Sequence, residues 1–99
     1  MPELVIRPLQ PSDQQEWRRL WTLYLEFYES SVTEEVYETT FARLISGQDN
    51  EFAGLIATLD GQPVGITHYL FHRHCWRVEN VCYLQDLYVD AQLRRRPPR

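Results

Sequence analysis

Lysine is absent from this sequence: all ten basic residues are arginine. Catalysis through a lysine Schiff base or a lysine nucleophile is therefore excluded for these 99 residues. Cysteine is scarce as well, and Cys75 and Cys82 are too few to form a disulfide framework, so we expect free thiols. No apolar run approaches the roughly 18 residues that a membrane span requires, and the N-terminus does not resemble a signal peptide. We therefore expect a cytoplasmic protein.

The remaining composition is typical of a folded domain. The residues are 43% hydrophobic and 13% aromatic, which predicts a packed core and not a disordered chain. Their number corresponds to one domain or to a part of one. The formal net charge of −4 offers no basic face, so neither nucleic acid nor an anionic membrane is expected as a partner.

The beginning of the sequence predicts a strand followed by a helix. Residues 4–7 form a short run closed by Pro8, which is typical of a strand. Ser12 and Gln15 fit the S-x-x-Q capping box, so the helix is expected to begin at Ser12. Its apolar side chains recur at helical spacing. They are Trp17, Leu20, Trp21, Tyr24, Leu25 and Tyr28.

A second helix is expected after a short break. Either Ser31 or Thr33 can cap it, and Glu34 and Glu35 then lie in its first turn, where acidic side chains suit the helix dipole. Gly47 is expected to end it. Its apolar face consists of Val36, Tyr37, Phe41, Leu44 and Ile45.

Beyond Gly47 the pattern changes to that of strands. Residues 52–59 and 64–73 are two apolar runs joined by Asp60-Gly61, a strong signal for a two-residue hairpin. Residues 81–89 form a third long run. One strand, two helices and three strands predict an α+β fold in which two helices pack on a mostly antiparallel sheet.

Three short segments now resemble the GNAT family of acyl-CoA N-acyltransferases. Ile6-Arg7-Pro8 with Asp13 downstream resembles the first strand and helix of that family, and residues 60–65 resemble its hairpin. Most specific is Leu84-Gln85-Asp86-Leu87-Tyr88-Val89-Asp90, which is similar to the family's fourth strand. The resemblance covers roughly residues 4–94 and implies a GNAT-like fold.

The resemblance also implies acetyl-CoA as co-substrate. In this family the exposed backbone of the fourth strand hydrogen-bonds the pantetheine arm, which here points to Leu87, Tyr88 and Val89 as cofactor-binding residues. An R-G-x-G-x-G loop follows and binds the pyrophosphate through its amides. Arg94 matches the basic residue of that loop and is expected to contact the cofactor.

The three glycine positions of that loop carry other residues. They fall on Arg95, Pro97 and Arg99, and a proline has no N–H to donate to a phosphate. We interpret residues 1–93 as a GNAT domain truncated after its fourth strand, and residues 94–99 as an Arg/Pro-rich irregular tail. A natural truncation or a shifted reading frame would each account for this. Activity is expected to be impaired or absent.

The candidate catalytic residue is Asp86. In the family an acidic residue near this strand often serves as general base, and burial against an apolar cleft is expected to raise the pKa of Asp86 and suit it to that role. The alternative is an ordinary solvated or hydrogen-bonded aspartate. Tyr28 and Glu29, at the end of the first helix, are candidate substrate-binding residues, because that end lines the acceptor side in the family. Packing alone is the alternative for Tyr28.

A metal site is not predicted, although His72, His74, Cys75 and Cys82 lie close in sequence. They do not complete a four-ligand set at a familiar spacing. The predicted function is transfer of acetyl from acetyl-CoA to a small-molecule or peptide amine. The alternative is a non-catalytic GNAT remnant that binds itself or another protein. We expect a homodimer formed through the exposed last strand.

Overall fold

The computed structural model describes residues 3–90, which form four strands and two helices. In chain order these are β1 (Leu4–Pro8), α1 (Gln14–Phe27), α2 (Glu34–Leu44), β2 (Ala53–Leu59), β3 (Gln62–His72) and β4 (Val81–Val89). A short 3-10 turn, Pro11–Asp13, precedes α1. The predicted α+β fold with two helices is confirmed.

The sheet is antiparallel throughout, in the order β1-β2-β3-β4, so every strand pairs with its neighbour in sequence. The hairpin between β2 and β3 turns at Asp60 and Gly61, whose φ angles of 50° and 83° are both positive. Two positive φ angles define the turn type that an Asp-Gly pair favours. Asp60 also accepts a hydrogen bond from the Glu3 backbone at 2.7 Å, which ties β1 to this turn.

The start of α1 differs from the prediction, and the capping box of Ser12 with Gln15 is wrong. Ser12 lies inside the 3-10 turn, and the carboxylate of Asp13 caps it by accepting from the backbone N–H of Gln10 at 2.8 Å. The guanidinium of Arg7 donates to both oxygens of the same carboxylate, at 2.7 and 2.9 Å. A contact from β1, which the local sequence pattern does not reveal, therefore supports the turn from which α1 starts.

Of the two possible caps of α2, the structure selects Thr33. Its hydroxyl oxygen accepts from the Val36 N–H at 3.4 Å, and Glu34 in the first turn pairs with Arg18 of α1. After the helix the chain turns at Gly47, which has a φ of 70°. Within residues 3–90 neither helix has the length and apolar character needed to cross a membrane.

The core lies between the helices and one face of the sheet. Trp17 is fully buried there, 5.2 Å from the ring of Trp21 and 5.1 Å from that of Phe41. The opposite face keeps its apolar side chains exposed, with Ile6 at 62% and Leu87 at 59%. The buried hydrophobic residues are Leu9, Trp17, Leu20, Trp21, Tyr37, Phe41, Leu44, Ile56, Ile66 and Tyr88.

Replacing Asp13 tests the cap. Asp13→Ala is expected to lower the free energy of unfolding by about 1–3 kcal/mol at neutral pH, because it leaves Arg7 and the Gln10 N–H without their acceptor. The hydrogen bond from Arg7 holds the pKa of Asp13 below its ordinary value. The difference between wild type and variant is therefore complete above the ordinary aspartate pKa and disappears as the pH falls through the lowered one. Denaturant titrations at several pH values measure it.

The control is Glu16→Ala, which removes an exposed ion pair with Arg19. A surface pair of this kind contributes less than about 1 kcal/mol. Equal losses in the two variants, or a difference for Asp13 that does not depend on pH, would contradict the assignment of Asp13 as the cap.

Candidate functional site

The candidate site lies where α1 crosses the last two strands. His68 of β3 pairs with Asp86 of β4, but the next residue, Tyr69, pairs with Leu84. Gln85 is thus an extra residue, a bulge in β4. Bulges redirect side chains and are frequent next to active sites. Here the side chains of His68 and Asp86 both lie on the face of the sheet that α1 covers.

A chain of hydrogen bonds connects these strands to the helix. The indole Nε1–H of Trp17 donates to His68 Nε2 at 2.9 Å, and His68 Nδ1 lies 2.8 Å from Asp86 Oδ2. His68 is 2% exposed, while the side chain of Asp86 keeps 12% of its surface. Asp86 is therefore partly accessible, and its partner is not.

His68 is a residue that the sequence interpretation missed. The signal was present, since His68 stands two positions after Ile66 in a strand, and alternation places both on the same face. Ile66 is buried, and a polar side chain at such a position needs a hydrogen-bond partner. Its partners, Trp17 and Asp86, are distant in sequence, which is why no local motif marked it.

The expected rise in the pKa of Asp86 is wrong. Burial alone does raise that pKa, but the hydrogen bond from His68, together with the hydroxyl of Tyr24 and the indole of Trp21, outweighs it and holds the pKa below its ordinary value. The expected raising by burial is present, but the same surroundings contain donors that stabilise the anion. Asp86 is a carboxylate at neutral pH.

Two α1 side chains complete the surroundings of this carboxylate. Burial, reinforced by the neighbouring Asp86, raises the pKa of Tyr24 to about 12. The buried Nε1–H of Trp21 finds no acceptor within hydrogen-bond distance among residues 3–90, although it helps to stabilise the Asp86 anion. The two α1 groups near the carboxylate, Tyr24 and Trp21, are thus both neutral at neutral pH.

A groove of about 160 Å³ shares Tyr24 with the surroundings of this carboxylate, although Asp86 itself does not line it. Tyr24, Phe27 and Tyr28 line it from the end of α1, and residues 87–89 line it from β4. The structure therefore brings the predicted substrate-binding Tyr28 together with the predicted cofactor-binding Leu87, Tyr88 and Val89. Tyr28 is 63% exposed.

The other two predicted site residues are Glu29 and Arg94. Glu29 is exposed and does not line the groove, but it adopts a left-handed φ of 54° where the backbone leaves α1. This conformation is unfavourable for a residue with a side chain by roughly 1–2 kcal/mol. Arg94 lies outside the described residues.

The histidines and cysteines at the far end of β3 do not converge. In the described part of the chain, no three His, Cys, Asp or Glu side chains are arranged to hold a metal ion. Both cysteines are exposed. His72 Nδ1 bonds the carbonyl of Arg73 at 2.8 Å, and the ring of His74 lies 5.5 Å from that of Trp76.

The sequence and the fold of this chain both match those of known acetyltransferases. A model described as the acetyltransferase (GNAT) family matches residues 17–96. D-amino-acid N-acetyltransferase HPA3 of Saccharomyces cerevisiae (strain S288c) is 37% identical over 92 residues, which are 92% of this chain and 57% of the yeast protein.

Solved structures share the fold. A possible acetyltransferase from Clostridium difficile 630 matches with a TM-score of 0.75 at 20% identity, over 93% of this chain and 60% of that one. The aminoglycoside N-acetyltransferase AAC(6')-Iy in complex with CoA matches with a TM-score of 0.77 at 16% identity, over 97% of this chain and 61% of that one. The chain thus spans about three fifths of the length of the relatives it matches.

The raised pKa of Tyr24 gives a prediction for alkaline solution. A tyrosine whose pKa is higher in the folded than in the unfolded state stabilises the fold below the ordinary value near 10, and this contribution is lost as the pH rises through the folded pKa. Between about pH 10 and pH 12, wild type should lose more free energy of unfolding than Tyr24→Phe, which has no proton to lose. Denaturant titrations in this range measure the difference, and parallel losses in the two proteins would contradict the environment assigned to Tyr24.

Proposed function

Because this chain belongs to the acetyltransferase (GNAT) family, we propose that it forms the acceptor-binding part of an N-acetyltransferase that transfers acetyl from acetyl-CoA to an amine. The proposal is based on one observation. The groove between α1 and β4 joins the end of the first helix to residues 87–89, and Tyr24, which lines it, also interacts with the anionic Asp86. The yeast relative, named for acetylation of D-amino acids, supports a small amine as the acceptor.

The cofactor is proposed to lie along β4. This strand ends the sheet order, so beyond it residues 3–90 supply no further strand. The pantetheine arm would contact the backbone of Leu87, Tyr88 and Val89, while Arg94 would approach the phosphates. The CoA complex of a protein with the same fold supports this placement.

The proposed reaction is direct transfer. The neutral amine nitrogen would attack the thioester carbonyl, with the C–N bond forming as the C–S bond breaks. The leaving CoA sulfur would take up the second proton of the nitrogen, giving the amide and the CoA thiol. Before attack the ammonium must lose a proton. Asp86 is the residue that we assign to this step: as a carboxylate it attracts the ammonium and takes the proton directly or through water. Its lowered pKa keeps Asp86 ionised for binding the cation and makes it a weak base, so a proton that it accepts would pass on to water.

The basic segment after β4 is proposed to weaken this activity. Arg95, Pro97 and Arg99 stand where the family has glycines. Bulky side chains keep a backbone away from a pyrophosphate, and Pro97 has no N–H to offer. The charge of the arginine side chains would still attract phosphate. The backbone N–H groups that a glycine loop directs at the pyrophosphate would be missing. We therefore expect this chain by itself to bind acetyl-CoA weakly and to transfer acetyl slowly or not at all.

The second candidate is a self-associating, non-catalytic module, and the exposed surface of β4 favours it. Tyr83 and Leu84 are 50% and 55% exposed on this edge strand, and Leu87 is 59% exposed. An apolar edge invites pairing with another strand. Joining β4 of two copies around a two-fold axis would bury it and would compete with the cofactor for the same edge.

Thermal unfolding with acetyl-CoA tests the first proposal. A ligand that binds only the folded chain must raise the midpoint, by an amount equivalent to about 2.7 kcal/mol at a concentration 100 times its Kd. Acetyl-pantetheine separates strand contacts from phosphate contacts. Arg94→Ala should reduce the shift given by acetyl-CoA and leave that given by acetyl-pantetheine unchanged. No shift at millimolar acetyl-CoA would reject cofactor binding and favour the non-catalytic alternative.

Sedimentation equilibrium at micromolar concentration tests self-association. Leu84→Lys places a charge on the β4 edge and should convert the expected dimer to a monomer. Leu4→Lys is the matched control, because Leu4 is 60% exposed on the opposite edge strand, and that variant should remain dimeric. A folded wild-type monomer, or equal dissociation of both variants, would contradict pairing through β4.

A further inference from the structure

The Trp17–His68–Asp86 chain leaves only one arrangement of protons. A tryptophan Nε1–H is a donor and has no lone pair to accept with, so His68 Nε2, 2.9 Å away, must be the unprotonated acceptor. The ring proton of a neutral imidazole then lies on Nδ1. From there it is donated to Asp86 Oδ2 at 2.8 Å. The tautomer of His68 is thus set by its contact with the helix.

Packing prevents this imidazole from leaving its position. The ring packs beside the stacked indoles of Trp17 and Trp21, with centroids 6.0 Å from Trp17 and 5.5 Å from Trp21, and the residue is 2% exposed. The bulge at Gln85 brings Asp86 directly opposite it. A 180° ring flip would separate Nδ1 from Asp86 and break both hydrogen bonds in a buried site, which is costly.

One carboxylate oxygen of Asp86, Oδ2, is therefore held by His68, and further groups lie near the carboxylate. Tyr24 and Trp21 of α1 and His68 of β3 each lower the pKa of Asp86. Trp21 is 7% exposed, and its Nε1–H has no acceptor within bonding distance among residues 3–90. The carboxylate bears the site's negative charge, and every side chain named around it favours the anion.

We propose that His68 is a positioning residue: oriented by Trp17, it fixes Asp86 as an anion whose second oxygen receives the ammonium group of the acceptor. The ligand class is a primary ammonium cation of small size, because the groove that Tyr24 shares with the surroundings of Asp86 holds about 160 Å³. This inference rests on the proposed function for the identity of the cation. The positioning of Asp86 by His68 does not depend on it.

Two amide variants separate the two hydrogen bonds of His68. The nitrogen of asparagine can take the place of Nδ1, so His68→Asn retains a donor to Asp86 and loses the acceptor of Trp17. The longer glutamine places its carbonyl near the position of Nε2, so His68→Gln retains the acceptor for Trp17 and loses the donor to Asp86. Both variants leave one buried partner unsatisfied, so a purely structural role predicts similar effects of the two.

The experiment is 13C NMR of the aspartate carboxyls in the 99-residue chain, with Asp86→Asn as the variant that assigns the Asp86 signal. In wild type and His68→Asn, Asp86 should titrate below the ordinary aspartate range. In His68→Gln its midpoint should rise toward the ordinary value. If the midpoint moves equally in the two variants, or in neither, positioning by His68 is rejected.

Titration of the same signal with propylammonium chloride tests the ligand class, with propanol as the neutral control at equal ionic strength. The Asp86 signal should respond to propylammonium alone, and His68→Gln should weaken this response about tenfold, as expected for loss of a hydrogen bond to a charged group. A response to both compounds, or to neither, overturns the ammonium assignment. The NMR measurements need no cofactor. A failure to bind acetyl-CoA would therefore reject the proposed function but would leave the test of His68 and Asp86 valid.

If either amide variant fails to fold, the 15N chemical shifts of His68 in the wild-type chain show which ring nitrogen carries the proton. A proton on Nδ1 agrees with the proposal, and a proton on Nε2 overturns it. Trp17→Phe is the companion variant, because it removes the donor that sets the tautomer while retaining an aromatic ring. It should lower the fraction of the Nδ1–H form, and an unchanged fraction would contradict orientation by Trp17.

Discussion

Burial of a polar hydrogen-bond chain under α1 governs how the described elements fit together. Trp17, His68 and Asp86 belong to three elements, and each buried N–H or nitrogen is satisfied only when the elements meet in one register. Leaving such a group unpaired costs about 1–3 kcal/mol. The same contacts that fix the helix on the sheet therefore also give β4 a carboxylate with a defined orientation and charge.

The two faces of the sheet differ because the helices cover only one of them. On the covered face, packing around Trp17 and Ile56 is complete, with both residues fully buried. On the other face, Ile6 and Leu87 remain more than half exposed, and β4 ends the sheet. The chain spans about three fifths of its relatives' length. The open strand β4 is where we propose that acetyl-CoA or a second copy of the chain binds.

Local sequence patterns predicted the elements well and their long-range chemistry poorly. Helical spacing from Trp17 onward and the Asp60-Gly61 turn are determined by neighbouring residues, and the structure agrees with both. The cap of the 3-10 turn before α1 depends on Asp13, which Arg7 contacts from another element, and the pKa of Asp86 depends on His68, 18 residues away. Such pairings arise only when the sheet forms, so a single sequence does not display them.

The role assigned to Asp86 requires that His68 is neutral, protonated on Nδ1, and holds Asp86 as an anion. Neutron diffraction from a deuterated crystal of this chain near neutral pH would observe the deuterons directly. We predict one deuteron on His68 Nδ1 directed at Asp86, none on Nε2, and none on either carboxylate oxygen. A deuteron on Nε2 or on Asp86 would contradict this arrangement.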